Sequence, residues 1–512
     1  MGNQDLQIGE RYLRRTVYEA ADLFAEAMRQ EPAGPDPLPF KVYRQVPRRK
    51  LPEAIPEEIG TDAQGDLTDR RLSTLLYYTY GFSRWDVGPG AVWPYHRTVP
   101  SARCYFPTEL YLWLPGSDGP AGIYHYDALH HALALIRPGD FRAELARILG
   151  AGLDGARGVL LLSSLFWKNA FKYRGYAYRL CAQEAGMVLG NALLVADRLG
   201  LRGEASYRFL DRRAGRLLGF PCSEEQLFAA LALYPDTDPA SERTRPGPAE
   251  DDIPDLALPY VRPEGPSHAH DPLFRSIADN CLLDDEDQFG AVPSAAPACA
   301  EGATELAMPR ERLPAFELGP ALRARDSGNV LFHPVARTLP ISVFWEIVGS
   351  ATVPYRSDLR AGTGVPGVSL DVVVLDVEGL AAGIYRFCPD HAGLHPVREG
   401  NVARQLQGAL PVPNINLLSS AVVLYLSADY PAASRAFGNR AYRMVNIEAG
   451  IVAQRICVRS AARGLSARVH NGYDAEGVAS ILGLADAGLT PFFQIAVAHN
   501  RPGVQVGLPI TY

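Results

Sequence analysis

A lysine beside a tyrosine, arginines beside a serine, paired histidines and a glycine-rich loop are the groupings in this 512-residue sequence whose side chains could make a site. Lys172-Tyr173 joins an amine to a phenol, two groups able to hold or pass a proton. Arg323, Arg325 and Ser327 set guanidinium forks beside a hydroxyl, the donor set that a phosphate dianion takes. Taken alone, the first reads as a structural pair in an aromatic segment and the second as solvated surface. The stretch Gly362-Thr-Gly-Val-Pro-Gly367 matches G-x-G-x-x-G letter for letter. A dinucleotide fingerprint must leave a strand and open a helix, whereas this one holds a proline and runs into a β-branched stretch, so it reads as a loop. His130-His131 and His268-x-His270 have no Cys or carboxylate partners at zinc-like spacing; they read as surface or core histidines, and no metal site is expected. P-loop, G-x-S-x-G and H-E-x-x-H motifs are absent.

The chain carries a formal net charge of −7, which gives no electrostatic footprint for nucleic acid. Hydrophobic residues make up 47% of it, enough for a sizeable core, and the length suggests roughly two to four domains. No stretch approaches the roughly 18 consecutive apolar residues of a membrane span. The N-terminus lacks a signal-like apolar region, and Leu6 stands where a myristoylation motif needs Ser or Thr. Seven scattered cysteines with no C-x-x-C fit reduced thiols, so a soluble, cytoplasmic protein is expected.

The elements that must position these residues occur twice. Tyr178-Arg179, Glu184-Ala-Gly186, Gly200-Leu201, Leu218-Gly219 and Phe228 recur 264 residues later as Tyr442-Arg443, Glu448-Ala-Gly450, Gly464-Leu465, Leu482-Gly483 and Phe492. Ala121-Gly-Ile-Tyr124 recurs 261 residues on as Ala382-Gly-Ile-Tyr385, which places a loop indel between. Each copy reads as strands around 109–114 and 159–163 (370–376 and 421–426), then a long helix, about 178–199 and 442–462. Small residues at helical spacing, including Ala182, Ala185 and Gly186, predict close helix–helix packing. The organisation expected is an N-terminal arm or helix (1–60), copy one (61–234), a Pro- and acid-rich linker with packed islands (235–317) and copy two (318–512). Arg11 to Gln30 reads as an amphipathic helix covering the molecule or meeting a partner.

Copy one holds Arg97-Thr-Val-Pro-Ser-Ala-Arg-Cys-Tyr-Phe-Pro-Thr-Glu-Leu-Tyr111, Gly122-Ile-Tyr-His-Tyr126, Phe171-Lys-Tyr-Arg-Gly-Tyr-Ala-Tyr-Arg179 and Glu184-Ala-Gly186, in this order. The set resembles the SagB-type branch of the nitroreductase-like flavoenzymes, which includes the azoline dehydrogenases of peptide natural-product pathways. The resemblance spans nearly all of both copies but not the linker. It implies an α+β nitroreductase-like fold in two tandem copies forming an intramolecular pseudo-dimer, with FMN at the interface. In the family one partner supplies an Arg-rich phosphate run and the other a Pro-Ser-Ala loop against the flavin ring. Here Arg323, Arg325 and Ser327 of copy two resemble the run, joined by Arg468, while Arg97, Pro100, Ser101, Ala102 and Arg103 belong to the loop of copy one. Copy two lacks the loop and has Ala436-Phe437 where copy one has Lys172-Tyr173, so one working FMN site and one degenerate site are expected. The sequence departs from the family run at Asp326 and Asn329 and has Arg103 where the loop usually has glycine; Arg84 and Arg174 read as surface.

The resemblance further implies dehydrogenation of peptide thiazolines or oxazolines to thiazoles or oxazoles. Lys172 is then the base for the ring proton, its pKa lowered by partial burial, and Tyr173 orients or relays that proton. The expected partners are an azoline-bearing precursor peptide and the cyclodehydratase that makes it, with no nucleic acid or membrane, and further homodimer formation stays open. Two alternatives stand beside this. One is another FMN oxidoreductase, either a desaturase of aminoacyl groups or an NAD(P)H nitroreductase; the other is a flavin-less scaffold that binds the modified peptide.

Overall fold

The computed structural model describes residues 2–29, 34–60, 66–88, 91–116, 119–236, 253–263, 271–289, 306–309, 313–328, 330–360, 363–364, 367–389, 392–501 and 506–510. Asn329, Gln30, Gly362, Cys299, His268 and His270 lie outside them. Within them the chain is α+β and built from two copies of one unit. Two 22-residue helices, Ala177–Arg198 and Arg440–Ala461, cross at the centre of the molecule and are buried nearly all round. That is why their apolar and small residues do not confine themselves to one stripe. The repeated glycine of Glu-Ala-Gly sits at the crossing: a Cβ at Gly186 would lie 2.8 Å from the Ile447 backbone, and one at Gly450 would lie 2.9 Å from Gly186 Cα. Only glycine lets the two backbones come this close.

Each helix packs against a largely antiparallel sheet. Copy one orders its strands 48–50, 132–138, 122–127, 108–114, 158–165, 225–235 and 201–206; copy two orders 306–307, 393–399, 383–388, 369–374, 422–428, 490–498 and 466–470. The recurring Gly-Ile-Tyr is structural in both. A Cβ at Gly122 or Gly383 would press on a carbonyl of the next strand (Arg137, 2.7 Å; Arg398, 2.6 Å). In both copies the register slips between the Ile and the Tyr, and the Tyr hydroxyl donates four residues back, to Pro120 O and Ala381 O.

Copy two also lends strands to copy one. Tyr355–Ser357 of copy two lies parallel to Leu201–Ser206 of copy one, and Val506–Pro509 pairs with Phe82–Val87 in a small sheet completed by Tyr95–Arg97. Neither pairing was legible in the repeat, because it depends on contacts remote in sequence. Part of the connecting segment is core: Asp271 caps the helix Pro272–Asn280, whose Phe274, Ile277 and Ala278 are buried beside Phe166 and Tyr178.

Two expectations need correction. The N-terminal segment is not one helix but Leu6–Leu13, a π-turn Arg14–Tyr18 and Ala20–Met28, broken where Glu19 turns to pair with Arg14 and Arg15. Cys104, Cys181, Cys222, Cys281 and Cys457 are free thiols, but Cys388 is disulfide-bonded. Spacing along the chain does not reveal which sulfurs the fold brings together. Among the described residues no helix is long and apolar enough to cross a membrane.

Candidate active site

A cavity of about 590 Å³ opens between the copies, and most of the residues expected to do chemistry line it. Copy one brings Pro100, Ser101, Ala102 and Arg103 on one loop, and Lys172 and Tyr173 at the end of the helix Phe166–Tyr173. Copy two brings Arg325 and Ser327, which follow the helix Leu318–Ala324, and Arg468 from the strand Ser466–His470.

The loop after Pro100 is tightly wound. Arg103, Cys104 and Phe106 all adopt positive φ (54°, 53° and 49°), and the Phe106 amide donates to Ser101 Oγ at 3.0 Å. Arg103 therefore takes a left-handed conformation where the family has glycine, at a cost in backbone strain. Burial pushes the Tyr173 phenol up to about 12, against the opposing positive charge of Arg103. Lys172 is part-buried in the same wall.

On the side of Arg325 the lining is rich in arginine. Buried Arg325 donates to Ser327 Oγ at 3.0 Å and to Arg97 O at 3.2 Å, and its Nε has no partner among the described residues. Arg468 reaches the carbonyls of Ser327 and Val330, both at 3.4 Å. Arg84, expected at the surface, lines the cavity and pairs with Asp86 (2.6 Å) and with Asp326 (3.1 Å). The departure at Asp326 is thus answered within the lining itself. His96, against Asp86, has its pKa lowered to about 4 chiefly by burial and is neutral at pH 7, so three arginines face two aspartates and the balance is positive.

Arg97 and Arg323 are corrections: neither lines the cavity. The Arg97 side chain turns into the core, donating to the carbonyls of Tyr80 and Pro39, with its guanidinium 4.3 Å and 4.2 Å from the rings of Tyr80 and Phe82. It supports the site from behind, through its carbonyl on Arg325. Arg323 lies over Tyr77 and Tyr78 and donates to the Tyr78 hydroxyl at 3.0 Å. Two residues before the buried Arg325, in the last turn of the helix Leu318–Ala324, it faces the other way.

Glu184 and its neighbours were not foreseen as site residues. Glu184 is buried in the cavity wall, accepts from Tyr80 Oη at 2.5 Å and lies beside the Ser101 hydroxyl. Burial raises its pKa to about 7. Gln183 and Asn471 exchange hydrogen bonds across the copies at 3.3 Å and 2.6 Å. The signal for Glu184 was present in the repeated Glu-Ala-Gly but reads as packing until the helix is placed. Its counterpart Glu448 has a different fate: Arg360 (2.7 Å) and the Gly367 amide (2.6 Å) take one oxygen and Tyr207 Oη (3.0 Å) the other. Gly367, the last glycine of the G-x-G-x-x-G stretch, thus meets a carboxylate of this chain.

No protein-family model matches the chain. It is 30% identical over 172 residues to the microcin B17-processing protein McbC of Escherichia coli, covering 31% of this chain and 59% of McbC. It is 30% identical over 117 residues (23% of this chain) to a Methanocaldococcus jannaschii protein assigned to the nitroreductases, covering 56% of it. The chain thus matches less than two thirds of the length of each relative. A solved structure from Anabaena variabilis, also assigned to the nitroreductases, superposes with a TM-score of 0.75 at 19% identity, over 96% of this chain and 99% of that one. Two copies of one α+β unit and a superposition over almost the whole length give this chain the nitroreductase fold, and over 172 residues its sequence is similar to that of McbC.

Proposed function

We propose that the chain is an FMN-dependent oxidoreductase that dehydrogenates azoline rings of a ribosomally made peptide. The observation that supports this most is the meeting of Lys172, Tyr173 and the Pro-Ser-Ala loop of copy one with Arg325, Ser327 and Arg468 of copy two around one cavity. The residues fit a flavin nucleotide. The unpartnered Nε of buried Arg325, the Ser327 hydroxyl and Arg468 suit its phosphate, and the Pro100–Ala102 loop suits its ring. FMN, when bound, would supply the hydride acceptor for the azoline, with oxygen as its reoxidant.

The chain's own residues supply the rest. Lys172 removes the proton from the neighbouring ring carbon, so that one proton and one hydride leave together and the ring becomes aromatic. Tyr173 holds the lysine and ring in line or relays the proton. The apolar walls keep water from the reacting carbon. A single cofactor per chain follows, because Ala436-Phe437 replaces the Lys-Tyr pair in copy two and Arg360, Gly367 and Tyr207 occupy Glu448.

The visible spectrum of the purified protein and its flavin-to-chain ratio after heat release test this. About one FMN per chain, with loss of two hydrogens from a thiazoline peptide by mass spectrometry, is the expected result. Two per chain would refute the single site, none after reconstitution would leave a flavin-less peptide-binding scaffold, and rapid NAD(P)H oxidation without azoline turnover would make it a nitroreductase. McbC is described as processing microcin B17, and kinship with it supports a peptide substrate. The proposed cyclodehydratase partner should be recovered in pull-downs with pathway proteins.

A further inference from the structure

The Pro-Ser-Ala loop of copy one is gripped from behind by a charge that neither the repeat nor the resemblance accounts for. Lys168 lies on the helix Phe166–Tyr173, one turn before Lys172, and is buried. Its ammonium donates to Phe106 O at 3.0 Å and to Glu109 Oε1 at 2.7 Å, while Glu109 Oε2 pairs with His125 Nε2 at 3.0 Å. Phe106 is thereby held at both ends, because its amide already donates to Ser101 Oγ. It closes a turn in which Arg103, Cys104 and Phe106 all have positive φ, and strained backbone of this kind persists only where its surroundings over-determine it. The duplication supplies an internal comparison. The helix Tyr430–Phe437 of copy two repeats Phe166–Tyr173 at the offset of 264 residues, and Ala432 stands in the place of Lys168. On the corresponding strand of copy two, Asp371 is taken within its own sheet by Arg386 at 2.7 Å. The buried lysine thus occurs only in the copy that carries the Pro-Ser-Ala loop and the Lys-Tyr pair.

We propose that Lys168 is a positioning residue of this site, holding the Phe106 carbonyl to the helix that ends in Lys172-Tyr173 and so fixing the Pro100–Ala102 loop relative to that pair. What is positioned rests on the reading of Lys172 as the base; the contact itself does not. A charge-assisted hydrogen bond in a dry interior is short and directional, so it fixes the spacing of helix and loop more closely than apolar contact would. Glu109 offsets the cost of burying the ammonium and keeps it at the carbonyl. Lys168 does not line the cavity, so it acts through the loop and through Lys172 rather than on the reacting ring.

Two half-buried thiols read the state of the loop. Cys104 sits inside it, whereas Cys222 lies elsewhere in copy one, after the helix Asp211–Leu218. Burial pushes both thiols up to about 12, so both alkylate slowly while the fold is closed. The full chain, incubated with excess FMN, is treated with iodoacetamide, and both cysteine peptides are quantified by mass spectrometry for the wild type and Lys168→Met. Release of the loop should raise the ratio of Cys104 to Cys222 labelling by roughly tenfold or more, which is what a one-unit fall of the Cys104 pKa gives. On a thiazoline peptide kcat should fall by about 10²-fold with KM little changed, the scale on which a misplacement of about 1 Å acts. Should Lys168→Met fail to fold, Lys168→Met/Glu109→Gln, which leaves no unpaired carboxylate, must raise the ratio likewise. A ratio equal to that of the wild type, whether both thiols stay slow or both react faster, overturns the proposal, since the lysine then only stabilises the fold. A raised ratio in a protein that oxidises no azoline would uphold the hold on the loop and refute the azoline reading. Azoline turnover with kcat unaltered in Lys168→Met would overturn the proposal and leave the azoline reading standing.

Discussion

Gly186→Ala tests, through its sign, whether the helix crossing positions the two halves of the site. On an isolated helix the change should stabilise, since alanine exceeds glycine in helix propensity by about 1 kcal/mol. Here the new Cβ would sit 2.8 Å from both the carbonyl carbon and Cα of Ile447, with Ile447 O nearer still. These are backbone atoms of a buried helix and cannot swing aside as a side-chain tip would. Restoring ordinary contact requires the helices to part by roughly 1 Å over a close-packed interface, and overpacking of this kind costs about 1–3 kcal/mol. The crossing is pseudo-symmetric, so the same strain meets Gly450→Ala. The net expectation is destabilisation by up to about 2 kcal/mol, after the propensity gain is offset. Because Arg325 and Arg468 belong to one copy and the Pro-Ser-Ala loop to the other, the displacement should also weaken FMN binding at least roughly tenfold. Urea denaturation with a fluorescence titration of FMN reads both effects. Gly190→Ala, whose Cβ would lie 3.2 Å from Ile451 O, is the milder control. Stabilisation by Gly186→Ala, or a loss no greater than that of Gly190→Ala, would refute the reasoning.

Lys172→Ala should lower azoline turnover by roughly 10²- to 10⁴-fold at unchanged FMN content, the usual contribution of a positioned base, and Tyr173→Phe should lower it less; peptide oxidation followed by mass spectrometry decides. Arg325→Gln should weaken FMN by about 1.5–3 kcal/mol, the worth of hydrogen bonds to a charged group, whereas Arg323→Gln, off the cavity, should leave FMN affinity unaltered in the same titration. Glu184 has a folded-state pKa raised to about 7, so its neutral form adds stability below its unfolded value, and that contribution fades as pH climbs through the folded value. Glu184→Gln should therefore gain stability relative to the wild type between pH 5 and pH 8, read by thermal denaturation at both, and a constant difference would exclude this role.

Some of this was written in local pattern. The strands around Leu112 and Val423 and the two long helices follow from runs of apolar residues and from small residues at helical spacing, which act over a few positions. The duplication is legible because order and spacing survive where residue identity does not. What the pattern could not carry is direction. Arg97, Arg323 and Arg325 look alike on paper, yet Arg97 runs into the core, Arg323 lies on Tyr77 and Tyr78, and only Arg325 enters the cavity. Arg84 looked like surface, because its partner Asp326 is 242 residues away.

By itself, then, the sequence determined that the chain is two α+β units and that the Lys-Tyr pair and the Pro-Ser-Ala loop occur in only one of them, since these are matters of residue type and period. Tertiary structure alone decided that the halves of the site meet across the glycine crossing, that Glu184 faces the cavity while Glu448 is engaged by Arg360, and that Phe24 closes the wall over Tyr173. Each depends on contacts between residues remote in the chain, which exist only once burial of apolar surface has brought the two copies together.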